Sequence, residues 1–290
     1  MTRKSWGMFI GVGIVWGVPY LFIKIAVGEG GFQPGFLVFA RVCLGALFLI
    51  PIAMKQGLLK EAFKYFTWIL LYSVIELVGP WYFLSSGERH ITSGLAGLLI
   101  ATVPFWSTII ASLLGDRTVL QPRRLAGLLV GFIGVILVVG LESLSGHNSK
   151  SAIALILLSA IGYATAPILI RRKAPTLNGL AINSVAMLIT SIIYIPVGIL
   201  EWPSTMPNAK SMWSLIILGI FPTAIAFIMF FKLMADIGPT RASTITYLNT
   251  AVAILLGIII LGEPLTLGIA LGMPLILIGS YFASKKTTTP

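Results

Sequence analysis

The sequence predicts an all-α polytopic membrane protein: ten transmembrane helices arranged as two inverted five-helix repeats around a central cavity. Three observations lead there. Apolar residues make up 57% of the 290 and charged residues only 10%, with a mean hydropathy of +1.00, which leaves too little polar surface to coat a water-soluble globule. The apolar residues gather into ten runs, each near the roughly 20 residues a helix needs to cross the hydrocarbon core with its backbone groups paired internally. A polar stretch at 142–150 divides the runs five and five, so a second copy with an odd number of spans must thread the membrane in the opposite sense.

In order, the runs cover 6–27, 34–54, 66–86, 91–114, 125–141, 152–170, 180–200, 213–234, 242–261 and 265–283. The first follows Arg3 and Lys4, as the core of a signal peptide would, but it is too long for one and carries Trp16, Pro19 and Lys24, so it reads as an uncleaved span. Cys43, the one cysteine, lies inside the second run; it excludes an intrachain disulfide and reads as a small apolar filler. The stretches 142–150 and 201–210 are short enough to be loops. The first of them separates the repeats, at 1–145 and 146–290.

The formal charge of +11 raises the question of a nucleic-acid partner, and the placement of the charges answers it. When the loops alternate sides, 15 of the 20 Lys and Arg fall on the side of the chain ends. Arg89, Lys150 and Lys210 fall on the other side, and Lys24 and Arg41 within runs. This bias is the positive-inside signature, which puts both termini in the cytoplasm and the chain in a cell (inner) membrane. The basic residues orient the chain in the lipid bilayer, and no nucleic acid is implied.

Sliding the sequence against itself by 147 positions sets Gly115-Asp116 on Gly262-Glu263, each a Gly-acid pair ending a run. After a two-residue gap, Gly127 meets Gly272 and Gly134 meets Gly279. Trp16-Gly17-Val18-Pro19-Tyr20 leading to Lys24, the Arg-led start Arg41-Val42-Cys43-Leu44-Gly45, and Ser93-Gly94-Leu95-Ala96 through Pro104 to Gly115-Asp116-Arg117 then resemble the EamA family of the drug/metabolite transporter superfamily. Ala242 to Gly262-Glu263-Pro264 and Gly272 to Gly279 resemble the matching end of its second copy. The resemblance covers nearly the whole chain and implies ten helices, a central cavity, and export of amino acids, metabolites or drugs. One departure is Gly162-Tyr163 in the sixth run, where the family often has Trp.

Ionisable side chains are costly in hydrocarbon, so those that persist face a cavity, a partner or an interface. Lys24, near the end of its run, either snorkels to the interface or faces a cavity. Arg41, about two turns inside the second run, either binds a substrate carboxylate through its planar fork or ties helices together by an ion pair. Glu76, the carboxylate nearest mid-membrane, either carries protons for coupling or forms a fixed pair with Arg41 or Lys24; Thr223 stands at its place in the second copy. Prolines inside runs free backbone carbonyls and keep aromatic company: Pro19 beside Trp16 and Tyr20, Pro80 beside Trp81 and Tyr82, Pro104 beside Trp106. With Tyr163, Tyr247 and Asn249, these rings and hydrogen-bonding groups suit a site for a neutral, zwitterionic or aromatic small molecule.

A membrane enzyme would need clustered acids, histidines or a nucleophile-base pair; His90, His147, Asp116 and Asp236 are scattered among loops. No metal-ligand spacing or phosphate loop is present, so no cofactor is expected. Phosphorylated substrates would call for several cationic groups, yet the second half has no Lys or Arg well inside a run. The sequence therefore points to a secondary transporter, an exporter of amino acids or similar neutral or zwitterionic metabolites. A carrier for hydrophobic drugs is the alternative, and a channel a more distant one. The small-xxx-small spacings Gly13/Gly17 and Gly127/Gly131 fit close packing within a monomer, or a weak dimer.

Overall fold

The computed structural model of the chain describes residues 3–116, 121–144, 149–237 and 245–284. The expected boundary between the repeats, the side chain of Tyr247, and His147 and Arg117 lie outside the described residues. Helices account for nearly all of what is described, and no strand occurs among those residues. In chain order they are α1 (Arg3–Ala26), α2 (Pro34–Lys55), α3 (Leu59–Lys64), α4 (Phe66–Ser73), α5 (Gly79–Gly87), α6 (Ser93–Ile100), α7 (Val103–Leu113), α8 (Pro122–Leu144), α9 (Lys150–Lys173), α10 (Gly179–Leu200), α11 (Ala209–Ile220), α12 (Ala226–Ile237), α13 (Ile245–Leu261) and α14 (Leu267–Ser284). Two π-helical turns, Val74–Val78 and Phe221–Ile225, join α4 to α5 and α11 to α12.

Among the described residues, seven stretches are long and apolar enough to cross a membrane: Arg3–Ala26, Pro34–Lys55, Phe66–Gly87, Ser93–Leu113, Lys150–Lys173, Gly179–Leu200 and Ala209–Phe230. The other three expected runs lie in α8, α13 and α14, whose apolar stretches among the described residues are Leu125–Leu137, Leu248–Leu261 and Leu267–Gly279. Leu129, Ile199 and Ile259 are 68–75% exposed on the outside of the bundle. Side chains of this kind in such numbers mark a surface whose solvent is lipid.

The polar connections set the helix ends. Pro34 occupies the first position of α2, where its missing N–H costs nothing, and Thr92, Asn178 and Asn208 cap α6, α10 and α11 by accepting from Leu95, Leu180 and Ser211 N–H. Gly115 and Gly262, the glycines of the repeated Gly-acid pairs, adopt φ of 91° and 66°, left-handed turns that stop α7 and α13.

The packing has a repeating plan. α1 lies on α11 and α13, while α9, which follows the polar stretch at 142–150, lies on α5 and on α6 and α7. α2 meets α10, α6 meets α13, and α8 meets α14 along their lengths. Glycine makes the closest of these approaches: a Cβ on Gly134 would strike Ile276, one on Gly279 would strike the Gly131 backbone, and ones on Gly13 and Gly17 would strike Leu248 and Val252.

Candidate functional site

Proline explains how the centre of the bundle opens. In an α-helix the N–H of residue 222 would bond Leu218 O, but Pro222 has none. The Thr223 hydroxyl donates to Leu218 O instead, at 2.7 Å. Ala226 N–H then reaches back five residues to Phe221 O, the π-helical bond, instead of four to Pro222 O. Trp16 of α1 takes it, its Nε1–H donating at 3.1 Å.

The other π turn is built alike. Gly79 N–H donates to Val74 O, Pro80 follows without a donor, and Ser159 of α9 donates its hydroxyl to Pro80 O at 3.0 Å. The Tyr194 hydroxyl donates to Val78 O at 2.7 Å. Gly162 admits this turn against α9, since a Cβ there would strike Ile75 O and Pro80. Each π turn is thus gripped by the first helix of the other part of the chain.

Between the turns lies a cavity of about 200 Å³, lined by Trp16, Pro19, Tyr20, Arg41, Glu76, Trp81, Leu84, Ile100, Val103, Tyr163, Pro222, Phe227, Thr246 and Asn249. Arg41, 7% exposed, donates from Nε to Thr223 Oγ1 at 3.0 Å and lays its guanidinium over the Trp81 ring, 3.8 Å from the centroid. Thr223 therefore accepts from α2 while donating to Leu218. Among the described residues, the two terminal guanidinium nitrogens make no protein hydrogen bond. Glu76, inside the first π turn, buries Oε2 without a partner, and Asn249 does the same with Oδ1. The cavity thus offers a fork of free donors, two free acceptors and aromatic walls.

The structure brings together Trp16, Tyr20, Arg41, Glu76, Trp81, Tyr163 and Asn249 of the sequence candidates. Two candidates fall outside the lining. Tyr82 is 37% exposed on the outside of the bundle, because its neighbour Trp81 takes the inward position and consecutive helical residues point about 100° apart. Trp106 donates from Nε1 to Thr102 Oγ1 at 3.2 Å and packs on the core beside Phe105. Tyr247 stands in the first turn of α13 beside Thr246. Sequence reasoning missed Thr246 and Phe227, and had Thr223 only as the counterpart of Glu76. Of the pairings raised for Arg41 and Glu76, neither forms: Arg41 is held by Thr223 and Trp81, and Lys24 donates to the carbonyls of Glu88 and Ile91 at 2.6 and 2.7 Å.

The cavity reaches toward the first turn of α13, the end of the bundle where Ser5 of α1 meets Asp236 of α12 at 3.4 Å. The opposite end is tied across the bundle. Glu201 accepts from Gly35 and Phe36 N–H at 2.7 and 3.1 Å, and Glu263 accepts from Ser93 N–H, Ser93 Oγ–H and Gly94 N–H at 2.7, 2.9 and 3.1 Å. Each carboxylate sits on a helix N-terminus, where backbone donors and dipole favour negative charge.

Known proteins share this plan. YedA, an inner membrane transporter of Escherichia coli, is 25% identical over 98% of this chain and 94% of its own. A Streptantibioticus cattleyicolor protein named a probable terminal-alkyne amino-acid exporter is 27% identical over 94% of this chain and 92% of its own. A crystal structure superposes with a TM-score of 0.68 at 19% identity, covering 98% of this chain and 97% of that one, and so shares the fold. The profile of the EamA-like transporter family matches twice, over residues 4–140 and 150–285. With nearly its whole length matched in two copies, the chain is a membrane transporter that belongs to the EamA-like transporter family.

Proposed function

We propose that the protein is a secondary transporter that exports amino acids or similar neutral or zwitterionic metabolites by alternating access. In this reading all ten apolar helices cross the inner membrane, as two inverted repeats with both chain ends in the cytoplasm. The observation that carries it is the set of unused polar groups in the cavity: the terminal nitrogens of Arg41 opposite a carboxylate, and Glu76 Oε2 and Asn249 Oδ1 opposite an ammonium. A zwitterion satisfies both, and the Trp16, Tyr20, Trp81 and Tyr163 rings accommodate an apolar side chain. The similarity to an amino-acid exporter supports the same class.

The tied end of the bundle is then the outer face and the cavity faces the cytoplasm, the state that loads an exporter. Exchange of the two repeats' conformations would release the caps made by Glu201 and Glu263 and open the outer face. Glu76, whose Oε2 is buried without a partner in the cavity, supplies the coupling proton.

Counterflow in proteoliposomes tests this against a panel of amino acids. Saturable exchange is expected, falling tenfold or more in Arg41→Ala, with proton-driven accumulation lost in Glu76→Gln. Ohmic ion current in place of exchange would overturn the carrier reading. The apolar and aromatic lining favours a second cargo, hydrophobic drugs, and exchange of aromatic cations but of no amino acid would select it.

A further inference from the structure

Glu88 has no part in the cavity, yet it is 0% exposed and neither of its carboxyl oxygens makes a hydrogen bond. It lies just beyond the third apolar stretch, which ends at Gly87, at the base of a cleft of about 400 Å³ on the tied face. Lys24, Glu29, Gln33, Arg89 and His90 share that cleft. Lys24 makes no hydrogen bond to the carboxyl; its ammonium donates to the carbonyls of Glu88 and Ile91. Glu263, an acid within electrostatic reach of the Glu88 carboxyl, is occupied in capping α6.

An ionised carboxylate without a donor is costly to bury. Burial pushes the Glu88 carboxyl well above its usual range; Lys24 pulls it down, Glu263 pushes it up and Arg41 pulls it down. The phenols of Tyr20 on α1 and Tyr163 on α9 also face it within electrostatic reach. Opening the tied face would flood the cleft and return Glu88 to water.

We propose that Glu88 is a proton-binding site that latches the outer face, neutral while that face is closed and ionised once it opens. This rests on the alternating-access reading above. The proton comes from water in the outer cleft as the face closes and returns there as it opens. The closed state therefore holds one more proton than the open state, so acid favours closure and rising pH favours opening, by up to about tenfold per pH unit while the group titrates.

The test uses the full chain in lipid nanodiscs, with Cys43→Ser and spin labels on His90→Cys and Ser204→Cys, both exposed on the outer face; His90→Cys also takes the imidazole out of the cleft. Pulsed electron-electron resonance then reads the distance across that face from pH 5 to pH 9. A short distance dominating in acid and yielding to a longer one as pH rises is expected. Glu88→Gln should keep the short distance throughout, and Glu88→Asp should restore the response. A pH response in Glu88→Gln equal to the parent's, a longer distance favoured by acid, or one unchanging distance in the parent would overturn the latch. Loss of amino-acid exchange with the pH response intact would remove the cargo assignment alone; intact exchange with a pH response unchanged by Glu88→Gln would remove the latch alone.

Discussion

Arg41 has one nitrogen committed and two in reserve, and Thr223 decides which. Thr223→Val would leave Arg41 Nε without an acceptor and Leu218 O without its donor. We expect a fall in exchange of about tenfold, the size of one hydrogen bond to a charged group, with Thr223→Ser restoring most of it in the same proteoliposome assay. Arg41→Lys keeps the charge but loses the planar fork and its stacking on Trp81, so it should raise KM more than Thr223→Ser does. Arg41 and Glu76 were legible in the sequence because a charge inside an apolar run is conspicuous. Trp81 and Tyr82 were not separable, since adjacency to Pro80 says nothing about which ring turns inward. Glu88 was hidden among its polar neighbours Arg89 and His90, which read together as an ordinary loop.

The two π turns carry the site, and nothing in the apolar pattern announced them. A run that is apolar all round has no polar face whose drift would reveal an extra residue per turn, so Val74–Val78 and Phe221–Ile225 read as plain helix. The Gly-acid pairs were legible, and their left-handed turns at Gly115 and Gly262 supply the reason for the glycine. Gly262→Ala should cost about 1 kcal/mol through strain, seen as a lower Tm in detergent, and should disturb Glu263 on α6 as well. Gly134→Leu should cost about 1–3 kcal/mol, because α8 and α14 have no room to part without losing their contact. A melting curve unchanged by Gly134→Leu would refute that account of the pair.

At the scale of the molecule, α1 on α11 and α13 is matched by α9 on α5 and α7, a pairing of helices that the five-and-five division of the runs suggested only as a repeat. Impermeant thiol reagents should label cysteines added at both chain ends only after the cells are opened, and label Ser204→Cys in intact cells; ends labelled from opposite sides would refute the inverted arrangement.

Glu76 and Thr223 hold equivalent stations in the two π turns, one an acid and the other an alcohol that braces a guanidinium. On the reading proposed above, a scaffold that rocks evenly therefore grips its passenger unevenly. A zwitterionic cargo would keep one polarity throughout the journey, its anionic pole toward the helix that brings Arg41, a heading that two identical halves could not impose.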